Sequence, residues 1–121
     1  MKKLTSTGKV SKRWLMKKAQ KAFNGRIRER DKGKPCCSCS EFKELEAGHY
    51  ISVGASSIHR FNPMNVHGQC SQCNAWKSGN HVPYREFMIK EYGLEAVEEL
   101  EQTSWQPKKW SVEELEEIIN E

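Results

Sequence analysis

No run of apolar residues in this 121-residue chain approaches the ~20 that a membrane-spanning helix needs, and no leader is expected ahead of its cysteines. Internal repeats and low-complexity stretches are missing as well, which excludes solenoids and biased linkers. Apolar material is scarce: 36% of residues are hydrophobic and 30% charged, so burial alone supports a core only marginally and a metal staple becomes physically reasonable. One domain without an independent second core is expected, away from any membrane. In a reducing cytoplasm its five cysteines read as metal ligands before they read as disulfides.

Acids are scarce where bases are dense. Residues 1–39 hold 13 Lys or Arg against 2 acids, residues 40–85 hold 4 against 3, and residues 86–121 hold 3 against 11, so the net charge of +4 conceals segments of +11, +1 and −8. A basic front half of this density is the footprint of a protein that follows phosphates, and the acidic end cannot belong to that surface.

Residues 1–10 are Lys-rich and aperiodic and read as a disordered basic arm. Within residues 11–34, Ser11 is a candidate N-cap, and Trp14, Leu15, Ala19, Ala22, Phe23 and Ile27 recur at helical spacing to about Asp31. Lys12, Arg13, Lys17, Lys18, Lys21, Arg28 and Arg30 decorate the rest of that helix, either as a DNA-backbone surface or as an ordinary solvated face. Residues 35–80 carry the cysteines, with strands expected over 47–53 and 58–61 around a turn at 54–57, and a short helix over 71–77. Residues 81–121 read as helices: one from Tyr84 to Tyr92 ended by Gly93, one through Leu94, Val97 and Leu100, and one started by a Ser111/Glu114 capping box. Trp105 and Trp110 are expected to pack and pin the last linker. The class is α+β.

Two CxxC pairs place two thiolates each on one side of a tight turn, and facing turns complete a tetrahedral site. Cys36, Cys39, Cys70 and Cys73 are the expected structural zinc ligands, and Cys37 is a spare thiol. A four-thiolate site is closed, so hydrolysis needs another group. His49 is the candidate general base, and an ordinary hydrogen-bonded histidine is the competing reading. Lys77, after the second pair, is a further candidate phosphate contact.

The order CxxC, His49, Asn65 and a second CxxC followed by Asn74 resembles the HNH, or His-Me finger, endonucleases. The runs Ile27-Arg28-Glu29-Arg30-Asp31, Ala47-Gly48-His49-Tyr50, Arg60-Phe61-Asn62, Gln69-Cys70 and Lys77-Ser78-Gly79-Asn80 with Tyr84-Arg85 resemble the NinG (Rap) recombination endonucleases of phage lambda, from about Trp14 onward. The resemblance implies a zinc-stabilised, treble-clef-like ββα-metal core. It makes His49 the base, Asn65 the orienting residue and Asn74 a ligand of a catalytic Mg2+ or Mn2+, with His49 and Asn74 converging on one scissile bond. Many HNH enzymes carry an acid or histidine just before the base. Here that position is Gly48, so His67 is the first choice to complete the metal site, with Glu46 behind it and structural roles open for both.

The implied substrate is branched double-stranded DNA such as Holliday junctions and D-loops, and the implied setting is the bacterial cytoplasm, for a phage or prophage protein. Resolution of a junction requires two incisions, which makes a homodimer reasonable, although no heptad seam is visible. A counterpart of the long basic N-terminal extension of the lambda relative is not expected here, which puts the DNA contacts of that segment in doubt. The rival readings are a zinc-dependent DNA-binding module without activity and an adaptor that works through the acidic helices.

Overall fold

Residues 11–121 are described by a computed structural model, and the expected arm at 1–10 lies outside them. Helix α1 spans Lys12–Asp31, and Ser11 caps it by accepting the Trp14 amide at 3.3 Å, as the sequence indicates. A cysteine turn then leads to β1 (Leu45–His49), which pairs antiparallel with β2 (Val66–Cys70). A single wide π-helical turn over Gln72–Trp76 follows. Helices α2 (His81–Tyr92), α3 (Leu94–Thr103) and α4 (Val112–Asn120) complete the order. Both halves of the Ser111/Glu114 capping box are formed. The structure is a small α+β assembly around one two-stranded sheet.

The expected strands are shifted. Residues 50–65 form turns ending in a 3-10 turn at Pro63–Asn65, and the second strand is the short segment VHGQC. Its Gly, His and Gln have little intrinsic strand preference, so tertiary burial decides: β2 is buried along its whole length.

Alternation places Leu45, Ala47, His49, Val66, Gly68 and Cys70 on one face of the hairpin and Glu46, Gly48, His67 and Gln69 on the other. The first face meets α1, where Ala47 and Val66 join Leu15, Ala19, Phe23, Ile27, Phe61, Leu115 and Ile118. The second meets α2, whose buried Tyr84 donates to the Gly48 carbonyl at 2.6 Å and packs with Cys37, Tyr50, Met88, Val97 and Leu100. The hairpin is thus a wall between two apolar clusters, where the sequence suggested one core. Cys37 is a packing residue of the second cluster, and burial pushes its thiol up to about 12.

Trp110 packs edge-on to Phe61 at 5.0 Å and donates Nε1–H to the Ser57 carbonyl at 3.0 Å, as expected. Trp105 does not pack; it is 74% exposed, because the chain between α3 and α4 runs over the surface.

Asp31 ties α1 to the sheet. Its buried carboxylate accepts the Gly68 amide at 2.8 Å and two bonds from Arg30, whose guanidinium also donates to the carbonyls of Pro63 and Val66. Burial pushes this carboxyl up, but the Arg30 and Gly68 hydrogen bonds outweigh it and hold the group below its ordinary value. A depressed carboxylate stabilises the fold above its unfolded pKa and loses that contribution as pH falls through the folded one. Asp31→Asn is therefore expected to cost about 2–4 kcal/mol near pH 7. Urea unfolding of both proteins should show that gap narrowing below pH 4 or so.

Candidate functional site

The Sγ atoms of Cys36, Cys39, Cys70 and Cys73 all lie within 4.8 Å of one another. A zinc ion bonded at about 2.3 Å to four tetrahedral sulfurs separates them by about 3.8 Å. The Cys39 to Cys70 separation is 3.8 Å. The first pair sits on a turn closed by the Cys36 amide on the Glu41 carbonyl and the Ser40 amide on the Cys36 carbonyl, with Ser40 at a φ of 62°. The second pair comes from the end of β2 and the wide turn after it. The Cys70 amide donates to Cys36 Sγ at 3.3 Å and Asn80 Nδ2 to Cys73 Sγ at 3.5 Å, the outer contacts that favour thiolate. Burial raises the Cys36 thiol, but backbone amides outweigh it and bring it down to about 7. These four side chains can hold a metal such as zinc.

His49 ends β1, half-buried, with Nε2 3.0 Å from the Arg60 carbonyl. A carbonyl only accepts, so Nε2 carries the proton and Nδ1 keeps its lone pair in the neutral ring. Burial holds the imidazole below its ordinary pKa, against the opposing pull of the Arg60 carbonyl.

Asn65 is fully buried and clamps the loop on which that contact depends. Its Oδ1 accepts the Ile51 amide at 2.9 Å, and its Nδ2 donates to the carbonyls of Ile51 at 2.9 Å and His59 at 3.3 Å. One amide thus fixes the backbone just after His49 and just before Arg60, which is an orienting geometry.

The other expected partners are not brought to His49. Asn74 donates Nδ2–H to Glu46 Oε1 at 2.9 Å, beside the Cys70 end of the hairpin. Glu46 and His49 are three strand residues apart, so their side chains leave opposite faces about 10 Å apart along the strand. His67 is on the face away from His49, buried between the hydroxyls of Tyr84 (3.3 Å) and Tyr92 (2.6 Å) and edge-on to Phe87. The expected convergence of His49 with Asn74 and His67 is therefore not formed: Asn74 meets Glu46, and His67 meets the two tyrosines.

The glycine before His49 also has a physical cause. A Cβ at Gly48 would lie 2.1 Å from Gln69 Oε1 and 2.8 Å from Gln69 Cβ, so any side chain there displaces the buried Gln69. Gln69 in turn donates to Ser38 Oγ at 2.8 Å and to the Gly79 carbonyl at 2.6 Å, joining the two cysteine turns.

Among the basic residues, Lys12, Arg13, Lys17, Lys18, Lys21, Arg28 and Lys77 are exposed as expected. Arg30 is exposed too, but its guanidinium is occupied by Asp31 and the carbonyls of Pro63 and Val66 and so belongs to the fold. Composition could not separate it from its neighbours. The run Arg30-Asp31, part of the resemblance noted above, was the available signal for this missed pair. His59 is structural too, held between Thr103 at 2.9 Å and Asn62 at 3.2 Å.

Two measurements check this geometry. Metal analysis of the reduced protein should give one zinc per chain, and its removal by a chelator, or Cys70→Ser, should lower the melting temperature sharply. Burial pushes His67 down to about 4. Since desolvation penalises the charged ring, the His67 ring-carbon NMR shifts should stay flat as pH falls through the ordinary histidine range toward 5.

No solved structure matches the chain. The family described as Bacteriophage Lambda NinG protein matches residues 1–121. Protein ninG of Escherichia phage lambda is 45% identical over 107 residues, covering 87% of this chain and 52% of its own. Protein ninG of Escherichia phage 933W shows the same identity and coverage, and that of Salmonella phage P22 is 43% identical over 107 residues with the same shares of each chain. The chain spans about half the length of the curated relatives it matches. Matched from end to end by the family and closely similar to several of its members, this chain belongs to the bacteriophage lambda NinG family.

Proposed function

We propose that this protein is an HNH-type endodeoxyribonuclease acting on branched DNA in the bacterial cytoplasm, with His49 as general base. One observation carries the reading: His49 is a neutral, half-buried imidazole whose Nε2–H is fixed on the Arg60 carbonyl, in a loop clamped by Asn65, leaving Nδ1 to accept a proton. In the proposed step Nδ1 takes a proton from water as the water oxygen bonds to phosphorus. The bond from phosphorus to the 3′ oxygen breaks with its electron pair going to that oxygen, which takes a proton from solvent, leaving a 5′ phosphate and a 3′ hydroxyl. The closed four-thiolate centre contributes scaffold and not chemistry.

Binding is assigned to α1. Arg13, Lys17, Lys21, Arg28 and Lys32 recur four or seven residues apart and form one exposed stripe along about 30 Å of helix. The acidic α4 packs on the opposite flank, where Arg26 donates to the Ile118 carbonyl at 2.6 Å, so it leaves the stripe open to phosphates. Recognition through a helical stripe of cations responds to backbone shape and salt, not to base sequence.

A second reading, a zinc-held DNA-binding module without hydrolysis, is favoured by the separation of Asn74 and His67 from His49. A four-way junction incubated with the zinc-loaded protein and Mg2+ separates the two. Nicking is expected, with His49→Ala slowing it by about 10²- to 10⁴-fold while zinc content and junction affinity persist. The rate should rise with pH and level off once the imidazole is neutral. An inert wild type that still binds the junction establishes the second reading.

A further inference from the structure

The basic stripe of α1 does not end at the helix. Beyond Arg28 and Lys32 it opens into a cleft of about 800 Å3 between the C-terminal turns of α1 and the segment entering β1. Arg28, Lys32, Lys34 and Lys43 line it together with Phe42; Glu29 and Glu44 are the two acids, so the cleft carries a cationic excess. Arg28 and Lys32 have no acidic partner among the described residues, while Lys34 leans on Asp31 at 3.6 Å and Lys43 on Glu41 at 2.8 Å.

Phe42 is 76% exposed and in neither apolar cluster. A single exposed aromatic is unremarkable. This one stands on a backbone pinned at both ends: the Glu41 carbonyl closes the first cysteine turn by accepting the Cys36 amide at 2.9 Å, and Leu45 is paired with Cys70. Between them Lys43 Nζ donates to Gln72 Oε1 at 3.1 Å. A ring that is held in place by its backbone, free on its faces and surrounded by cations matches single-stranded nucleic acid, whose bases stack on aromatics while phosphates follow the charge. A paired duplex has no free base face to offer.

We propose that this cleft is a single-strand track in which Phe42 stacks an unpaired nucleotide of DNA, with Arg28, Lys32 and Lys43 holding the adjoining phosphates. The strand continues from the duplex carried on the α1 stripe, so the protein selects branched DNA by the nucleotides that pairing leaves free. The inference rests on the DNA-binding part of the reading above and is independent of hydrolysis by His49.

The test is binding by the zinc-loaded full chain without added divalent cation, using an oligothymidylate of about 12 nucleotides, a flapped duplex and a plain duplex. Phe42→Ala is expected to weaken the oligothymidylate and flapped duplex by about 5- to 100-fold, leaving the plain duplex unchanged. Phe42→Trp should restore binding, and 2-aminopurine at the flap junction should lose fluorescence on binding wild type but not Phe42→Ala. Equal affinity of Phe42→Ala and wild type for oligothymidylate overturns the proposal, as does an equal loss on plain duplex. Because His49→Ala should bind all three probes like wild type, Phe42-dependent binding without nicking discards the nuclease and keeps the track. Nicking with Phe42-independent binding does the reverse.

Discussion

Four sulfurs from segments more than thirty residues apart meet in one cluster, and the arrangement around them depends on that meeting. The central unit has too little apolar surface for a self-sufficient core, and a short strand such as VHGQC has little preference of its own. A metal held by the four thiolates would close a long loop at once and add on the order of 10 kcal/mol to the folded state. With the four sulfurs in one cluster, Leu45 is paired with Cys70, and the register of the hairpin runs from there to His49 and Val66 at the far end.

That hairpin works as a partition because each face has its own partner. On one side Asp31 reaches the Gly68 amide and brings Arg30 onto the carbonyls of Pro63 and Val66. On the other, Tyr84 bonds the Gly48 carbonyl and Gln69 bridges to Ser38 and Gly79. Gly48 is required by this second layer: the bulk of Gln69 occupies the space a side chain would need, which is why no acid or histidine stands before His49. His67, caught between two tyrosine hydroxyls, belongs to the same layer.

Charge is segregated by packing as well as by sequence. The acidic α4 lies against α1 through Leu115 and Ile118, and Arg26 bonds its end, so the negative helix screens one flank of the positive one and leaves the other open. The open flank leads from Arg13 past Arg28 to the cleft around Phe42, whose second wall is joined to the first cysteine turn by the Cys36 amide on the Glu41 carbonyl.

Local signals were legible in the residues: the Ser11 cap and the periodic face of α1, the Ser111/Glu114 box, Gly93 as a break, and the two CxxC pairs as one metal centre. The caps, the break and each CxxC pair depend on a few adjacent residues, so spacing alone reveals them; that the two pairs belong together was legible because a lone pair leaves a four-ligand site half filled. The pairing of 45–49 with 66–70, the bond of Arg30 to the Val66 carbonyl, the exposure of Trp105 and the separation of Asn74 from His49 depend on which distant groups meet. The sequence by itself determined which residues could serve as ligands, caps and cations; only the tertiary structure decided which of them face the same space, because a strand sends successive side chains to opposite sides and burial chooses the register.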